Sequence, residues 1–136
     1  MNTQNYPSWL VPLEIAKELK EIGFHELVQN SYYSNKGTER ILSSTLRLEK
    51  KSLADANILN FLVSLPTWEQ VFEWLREKGY IGTINFVYID KNNFYYKLRI
   101  NGKCNFIDEE KFTNYEDARE KLINKLIETY KTNEFL

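Results

Sequence analysis

The stretch LPTWEQVFEWLREKGY, Leu65 to Tyr80, followed at once by IGTINFVYID, sets a complete helix signal directly against a complete strand signal. Thr67 as N-cap with Gln70 three residues later forms a capping box, and Trp68, Val71, Phe72 and Leu75 recur at helical spacing. Gly79 with Tyr80 supplies the stop. Past Tyr80 the apolar period becomes two, with Ile84, Phe86 and Tyr88 on one side of a strand and Asn85, Val87 and Ile89 on the other. FYYKLRI then alternates Phe94, Tyr96, Leu98 and Ile100 against Tyr95, Lys97 and Arg99, with DKNN as the connection. Asn101 and Gly102 form a tight-hairpin dipeptide and predict a third strand, KCNFI. Thr113 with Glu116 predicts a second capping box, opening a helix whose face carries Tyr115, Ala118, Leu122, Ile123, Leu126, Ile127 and Tyr130. The order helix, three-strand antiparallel meander, helix predicts an α+β fold with helices packed on one face of the sheet.

The first half is signalled less evenly. Pro12 suits a first helical turn, Leu13, Ile15, Ala16, Leu19 and Ile22 share a face, and Gly23 with Phe24 ends the helix. Leu27–Tyr33 and Arg40–Leu48 read as two strands around a turn at Asn35, Lys36 and Gly37. Ser52–Val63 reads as a helix, with an extended segment as the alternative. With 43% hydrophobic residues, a 136-residue chain buries roughly two thirds of its unfolded surface, which predicts one domain over residues 1–136. The 18 basic and 19 acidic residues leave a net charge of -1, so nucleic acid or an anionic membrane would have to be held by a local patch. The single cysteine, Cys104, cannot form an internal disulfide, and MNTQNYPSWL lacks the basic start and apolar run of a leader. The most apolar run, Ile58–Leu65, contains Asn60 and Ser64 and is far short of the roughly 20 residues of a membrane span. The expectation is a cytoplasmic protein that does not enter membranes.

The residue types of catalysis are sparse. His25 is the only histidine, beside the glycine stop of the first helix, where it can face the last carbonyls. Cys104 shares an alternating set with Phe106 and reads as a small buried residue. Asp108, Glu109 and Glu110 are consecutive, so in extended chain they point alternately apart, as in a solvated connector. The five glycines are isolated, and none belongs to a phosphate loop. No catalytic, metal or cofactor residue is assigned, and the expectation is a non-enzymatic protein without a cofactor. Trp68 belongs to the buried stripe of its helix, whereas Trp74 lies off the stripe's centre and is a candidate partner contact. Trp9, beside Pro7, reads as an anchor over the core.

One surface pattern carries functional weight. Tyr95, Lys97 and Arg99, with Lys91 and Lys103 at the strand's ends, mix an aromatic with basic residues on one sheet face, as folds that hold single-stranded nucleic acid do. A second basic group, Lys36, Arg40, Arg47, Lys50 and Lys51, lies in the middle segment. The order helix, three strands, helix also matches the double-stranded RNA-binding domain. That family grips phosphates with a basic start to its final helix, where TNYEDAREK here leads with Glu116 and Asp117 and repels them.

VPLEIAKELKEIGF, the pair Tyr32 and Tyr33, LPTWEQVFEWLREKGY and YEDAREKLINKLIETY together resemble a group of small proteins encoded in genomes and prophages of Bacteroidetes. The likeness covers Val11–Phe24 and Leu65–Tyr130, and Ser34–Ser64 departs from it. It implies a phage or mobile-element accessory protein that binds another protein, such as a host CRISPR-type nuclease complex, and inhibits it. A single-stranded nucleic-acid-binding module and a self-assembling structural subunit are the alternatives. Trp74, Tyr95, Lys97, Arg99, Lys91 and Lys103 are the candidate partner-binding residues.

Overall fold

The computed structural model describes residues 6–35, 37–43, 56–58 and 62–135. Its fold is α+β, with three helices and two three-stranded antiparallel sheets where the sequence predicts one sheet. The chain divides into two compact units, Met1–Val71 and Phe72–Leu136, the division falling within the helix that begins at Trp68.

In the first unit, helix α1 spans Leu13–Glu21 and buries Ile15, Ala16 and Leu19. Its end is set by Gly23 at φ 93°, where the Gly23 and Phe24 amides donate to the carbonyls of Lys20 and Leu19. This is the glycine stop read from the sequence. Strands β1 (Asn30–Asn35) and β2 (Thr38–Ser43) form the hairpin expected around Gly37. The remainder of the predicted second strand lies outside the described residues.

The helix expected over Ser52–Val63 is replaced, where residues are described, by a single 3-10 turn at Ala56–Ile58 and strand β3 at Leu62–Leu65. Strand β3 pairs with β1, giving the order β2-β1-β3. Extension wins because β3 completes a sheet and packs against α1, and Asn57 satisfies the polar groups this buries. The Asn57 side-chain amide donates to the Phe24 carbonyl at 2.7 Å, and its oxygen accepts from the Ser64 amide at 2.8 Å. A buried backbone left without such partners would cost about 1–3 kcal/mol per group.

Helix α2 spans Trp68–Glu77. The capping box is present: the Gln70 amide donates to Thr67 Oγ1 at 3.2 Å, and Gln70 Oε1 accepts from the Thr67 amide at 2.9 Å. Trp68 is buried and its indole N–H donates to the Ser8 carbonyl. Trp9, expected over the core, is 51% exposed. The apolar anchor of that segment is its neighbour Leu10, which bridges to Thr67 and is buried.

In the second unit, β4 (Tyr80–Asp90), β5 (Asn93–Gly102) and β6 (Phe106–Ile107) form the expected meander, and helix α3 (Tyr115–Phe135) packs on one face of β4 and β5. Two local signals resolve differently from their sequence reading. Asn101–Gly102 is no two-residue turn: Gly102 still pairs with Tyr80, and β6 starts only at Phe106. The long pairing wins because the Lys103 amide donates to the Gly79 carbonyl at 2.9 Å, extending the ladder past Gly102. Gly102 is required there, at φ 101°, since a Cβ would stand 2.2 Å from the Gly79 oxygen. The last helix is capped by Asn114, whose Oδ1 accepts from the Asp117 amide at 3.2 Å, instead of by Thr113 with Glu116. Asparagine caps as well as threonine, and it opens the helix at Tyr115.

Candidate functional site

Strand alternation places Tyr80, Gly82, Ile84, Phe86 and Tyr88 of β4 on the same side as Ile100, Leu98, Tyr96 and Phe94 of β5. Helix α3 covers part of this side. Leu122 and Leu126 lie so close over Gly82 that a Cβ there would meet a Leu126 methyl at 2.8 Å. Tyr130 stands edge-on to Tyr80, with ring centroids 5.5 Å apart, and Tyr115 edge-on to Tyr96 at 5.8 Å. Fifteen helical residues between those tyrosines rise about 22 Å. Six strand residues from Tyr80 to Phe86 span about 20 Å, so the helix runs out near Phe86. The hairpin continues.

What continues is aromatic. Phe86 is 54% and Tyr88 63% exposed, and Phe94 and Tyr115 are also exposed. The rings form a connected group, with centroid separations of 5.5 Å for Phe86–Phe94, 5.4 Å for Phe86–Tyr96 and 6.4 Å for Phe94–Tyr96. Mutual contacts of this kind pre-order the rings, so little side-chain entropy is left to lose when a partner covers them. The tip beyond them is held by Asp90, which accepts from the Asn92 amide at 3.3 Å and the Asn93 side chain at 2.8 Å. Those bonds, the Asn93 side chain foremost, hold the Asp90 carboxyl below its ordinary range. This overhang is the candidate site.

The sequence reading placed its site elsewhere on the same hairpin. Tyr95, Lys97 and Arg99 do share one side of β5, the side opposite α3; Arg99 is exposed, while Tyr95 and Lys97 are half-buried. The Lys111 ammonium lies 4.8 Å from the Tyr95 ring centroid, over the face on which a base would stack. Lys91 is exposed in the β4–β5 turn. Lys103 is drawn to the other end of the sheet, 3.3 Å from Glu134 Oε1. Trp74 is 4% exposed and packs on Tyr130 at 5.4 Å, with Lys78 over its ring, so it offers a partner almost nothing. Of the second basic group only Arg40 is described, over the ring of Tyr33; Lys36, Arg47, Lys50 and Lys51 lie outside the described residues. The overhang was missed because alternation identifies a shared side and says nothing of where its cover ends.

A cleft of about 450 Å³ opens at the base of the hairpin, lined by Glu77, Lys78, Gly79, Lys103, Tyr130 and Glu134. Two of its lining groups, Lys103 and Glu134, are paired with each other at 3.3 Å. The Tyr80 hydroxyl donates to Glu134 Oε1 at 2.9 Å, and this bond, with Lys103 beside it, holds the Glu134 carboxyl low. Burial pushes the Tyr80 hydroxyl up, so it remains a donor at neutral pH. Among the described residues no group of three His, Cys, Asp or Glu is placed to hold a metal ion, and no helix is long and apolar enough to cross a membrane. Neither a family model, nor a curated protein, nor a solved structure matches the chain.

Proposed function

We propose that this is a non-enzymatic binding protein that uses the aromatic overhang of the β4–β5 hairpin to occupy an apolar surface on another protein. The observation behind this reading is that Phe86 and Tyr88 stand in solvent on the same strand side whose inner half lies under α3, with Tyr80 buried and Gly82 and Ile84 partly covered. Exposed, pre-ordered aromatic groups are the usual anchors of protein interfaces. In the setting implied by the resemblance to prophage-encoded proteins, the partner is a component of a bacterial defence complex, and binding inhibits it. The test is affinity capture from bacterial host lysate with the wild-type chain and with a Phe86→Ala, Tyr88→Ala, Phe94→Ala variant. A protein retained by the first and lost from the second supports the reading. Identical retention by both, or nothing retained by either, ends it.

A second reading is a single-stranded nucleic-acid module on the opposite side of β5. It is favoured by the common orientation of Tyr95, Lys97 and Arg99. It predicts binding of labelled single-stranded RNA or DNA that weakens steeply with salt and disappears on Lys97→Glu with Arg99→Glu. Absence of binding at low salt rules it out.

A further inference from the structure

The cations of the second unit are provided for unevenly. Lys103 lies 3.3 Å from Glu134 at the base of the hairpin, and Lys125 lies 3.8 Å from Glu128 on α3. On the side of β5 opposite α3 the pattern changes. Among the described residues, the side chains of Lys97 and Arg99 form no ion pair or hydrogen bond, and Lys111 has only the ring of Tyr95. The cross-strand neighbours, where a sheet often sets an opposite charge, are neutral: Asn85 faces Lys97, and Thr83 and Ile107 flank Arg99.

Lys111 joins this side although it belongs to the connector before α3. Phe112 pairs with Tyr96, which brings the connector alongside β5, and the Lys111 ammonium then lies 4.8 Å from the Tyr95 ring centroid. Attraction to the ring holds it over the sheet. Lys97 and Arg99 follow on the same side, two strand residues or about 6.8 Å apart. Lys111 and Arg99 are exposed and Lys97 is half-buried, so the three charges share one accessible patch. Like charges this close repel one another until an anion enters among them.

Two features say which anion. Lysine and arginine donate hydrogen bonds and accept none, so the ligand has to bring acceptors. A phosphodiester chain brings acceptors and negative charge alone, whereas an acidic peptide also brings an N–H at nearly every residue to a patch of donors. The second feature is Tyr95, whose ring face is taken by Lys111 and is closed to a base.

We infer that Lys97, Arg99 and Lys111 form a site for the phosphodiester backbone of a nucleic acid, held without stacking or reading its bases. The inference rests on the second reading above and changes what that reading recognises. Lys111 takes the place that base stacking on Tyr95 would have.

The experiment is fluorescence anisotropy of the full chain at low salt, with labelled oligothymidylate and an abasic deoxyribose-phosphate strand of the same length. Both strands are expected to bind with the same affinity. That affinity should fall with salt at a log–log slope of about -2, since each phosphate neutralised on a single strand contributes about 0.7. Lys111→Gln and, separately, Lys97→Gln should each reduce the slope by about 0.7 on both probes, circular dichroism showing the fold retained. If oligothymidylate binds and the abasic strand does not, bases are read: the second reading stands and this inference falls. If neither binds, both fall. Binding that Lys111→Gln leaves unchanged overturns the inference, as does poly-glutamate of matched charge that competes as well as the abasic strand.

Discussion

The base and the tip of the β4–β5 hairpin are written in one alternating pattern and meet opposite fates. At the base, Tyr80, Leu98 and Ile100 are almost wholly buried; at the tip, Phe86 and Tyr88 are more than half exposed. Nothing in the strands themselves marks the transition. It comes from α3, whose apolar residues reach from Tyr130 over Tyr80 to Tyr115 beside Tyr96 and then stop, because Asn114 caps the helix there. A strand can therefore be core at one end and binding surface at the other, with a helix cap drawing the line.

This contrast can be broken most forcefully at the base. Leu126→Ala removes one of the two side chains seated on Gly82 and should lower stability by about 2–5 kcal/mol, read from chemical denaturation. Phe86→Ala, two strand pairs away, should lower it by no more than about 1 kcal/mol, because over half of the ring is already in water. Equal losses at the two sites would mean that the tip belongs to the core, and the proposed binding role of the overhang would lose its basis.

A smaller effect sharpens the contrast through pH. The Glu134 carboxyl, hydrogen-bonded by Tyr80 and Lys103 at the base, titrates below its ordinary value of 4.5 in the folded protein. A group depressed in this way contributes stability above its unfolded pKa, and that contribution is lost as pH falls through the folded value. The melting temperature of the wild type should therefore exceed that of Glu134→Gln by a constant margin at neutral pH. The margin should shrink below about pH 4. A margin as large at acid pH as at neutral pH would show that the carboxylate's charge plays no part. Asp90 is depressed likewise at the tip, so Asp90→Asn gives the matching measurement there.

Much of the fold was legible because its signals are local. Gly23 ends α1 and the Thr67–Gln70 box opens α2 through bonds that span a few residues, which any surroundings would permit. The alternation of β4 and β5 likewise agrees with the register for Ile84 to Tyr88 and Phe94 to Ile100, and fails only at Ile89, which falls in the irregularity before Asp90. The failures share a different cause. Asn101–Gly102 lost its turn to the Lys103–Gly79 ladder bond, a contact between residues far apart in sequence. The segment before Leu65 carries weak helical spacing and became β3 at its end because β1 offered it a sheet edge and Asn57 a polar clamp. Trp74 looked peripheral on its own helix and is buried against Tyr130, more than fifty residues downstream.

The order of elements after Leu65, the caps of the first two helices and the two sides of the hairpin were determined by the sequence alone, since propensity, capping and alternation act over short separations. Which stretch of a side is covered, which strand edge stays open, and hence where this protein has surface to offer, were decided only by tertiary structure. The reason is physical: burial and edge pairing depend on how far one element reaches along another, and that reach is a length in space that no local pattern encodes.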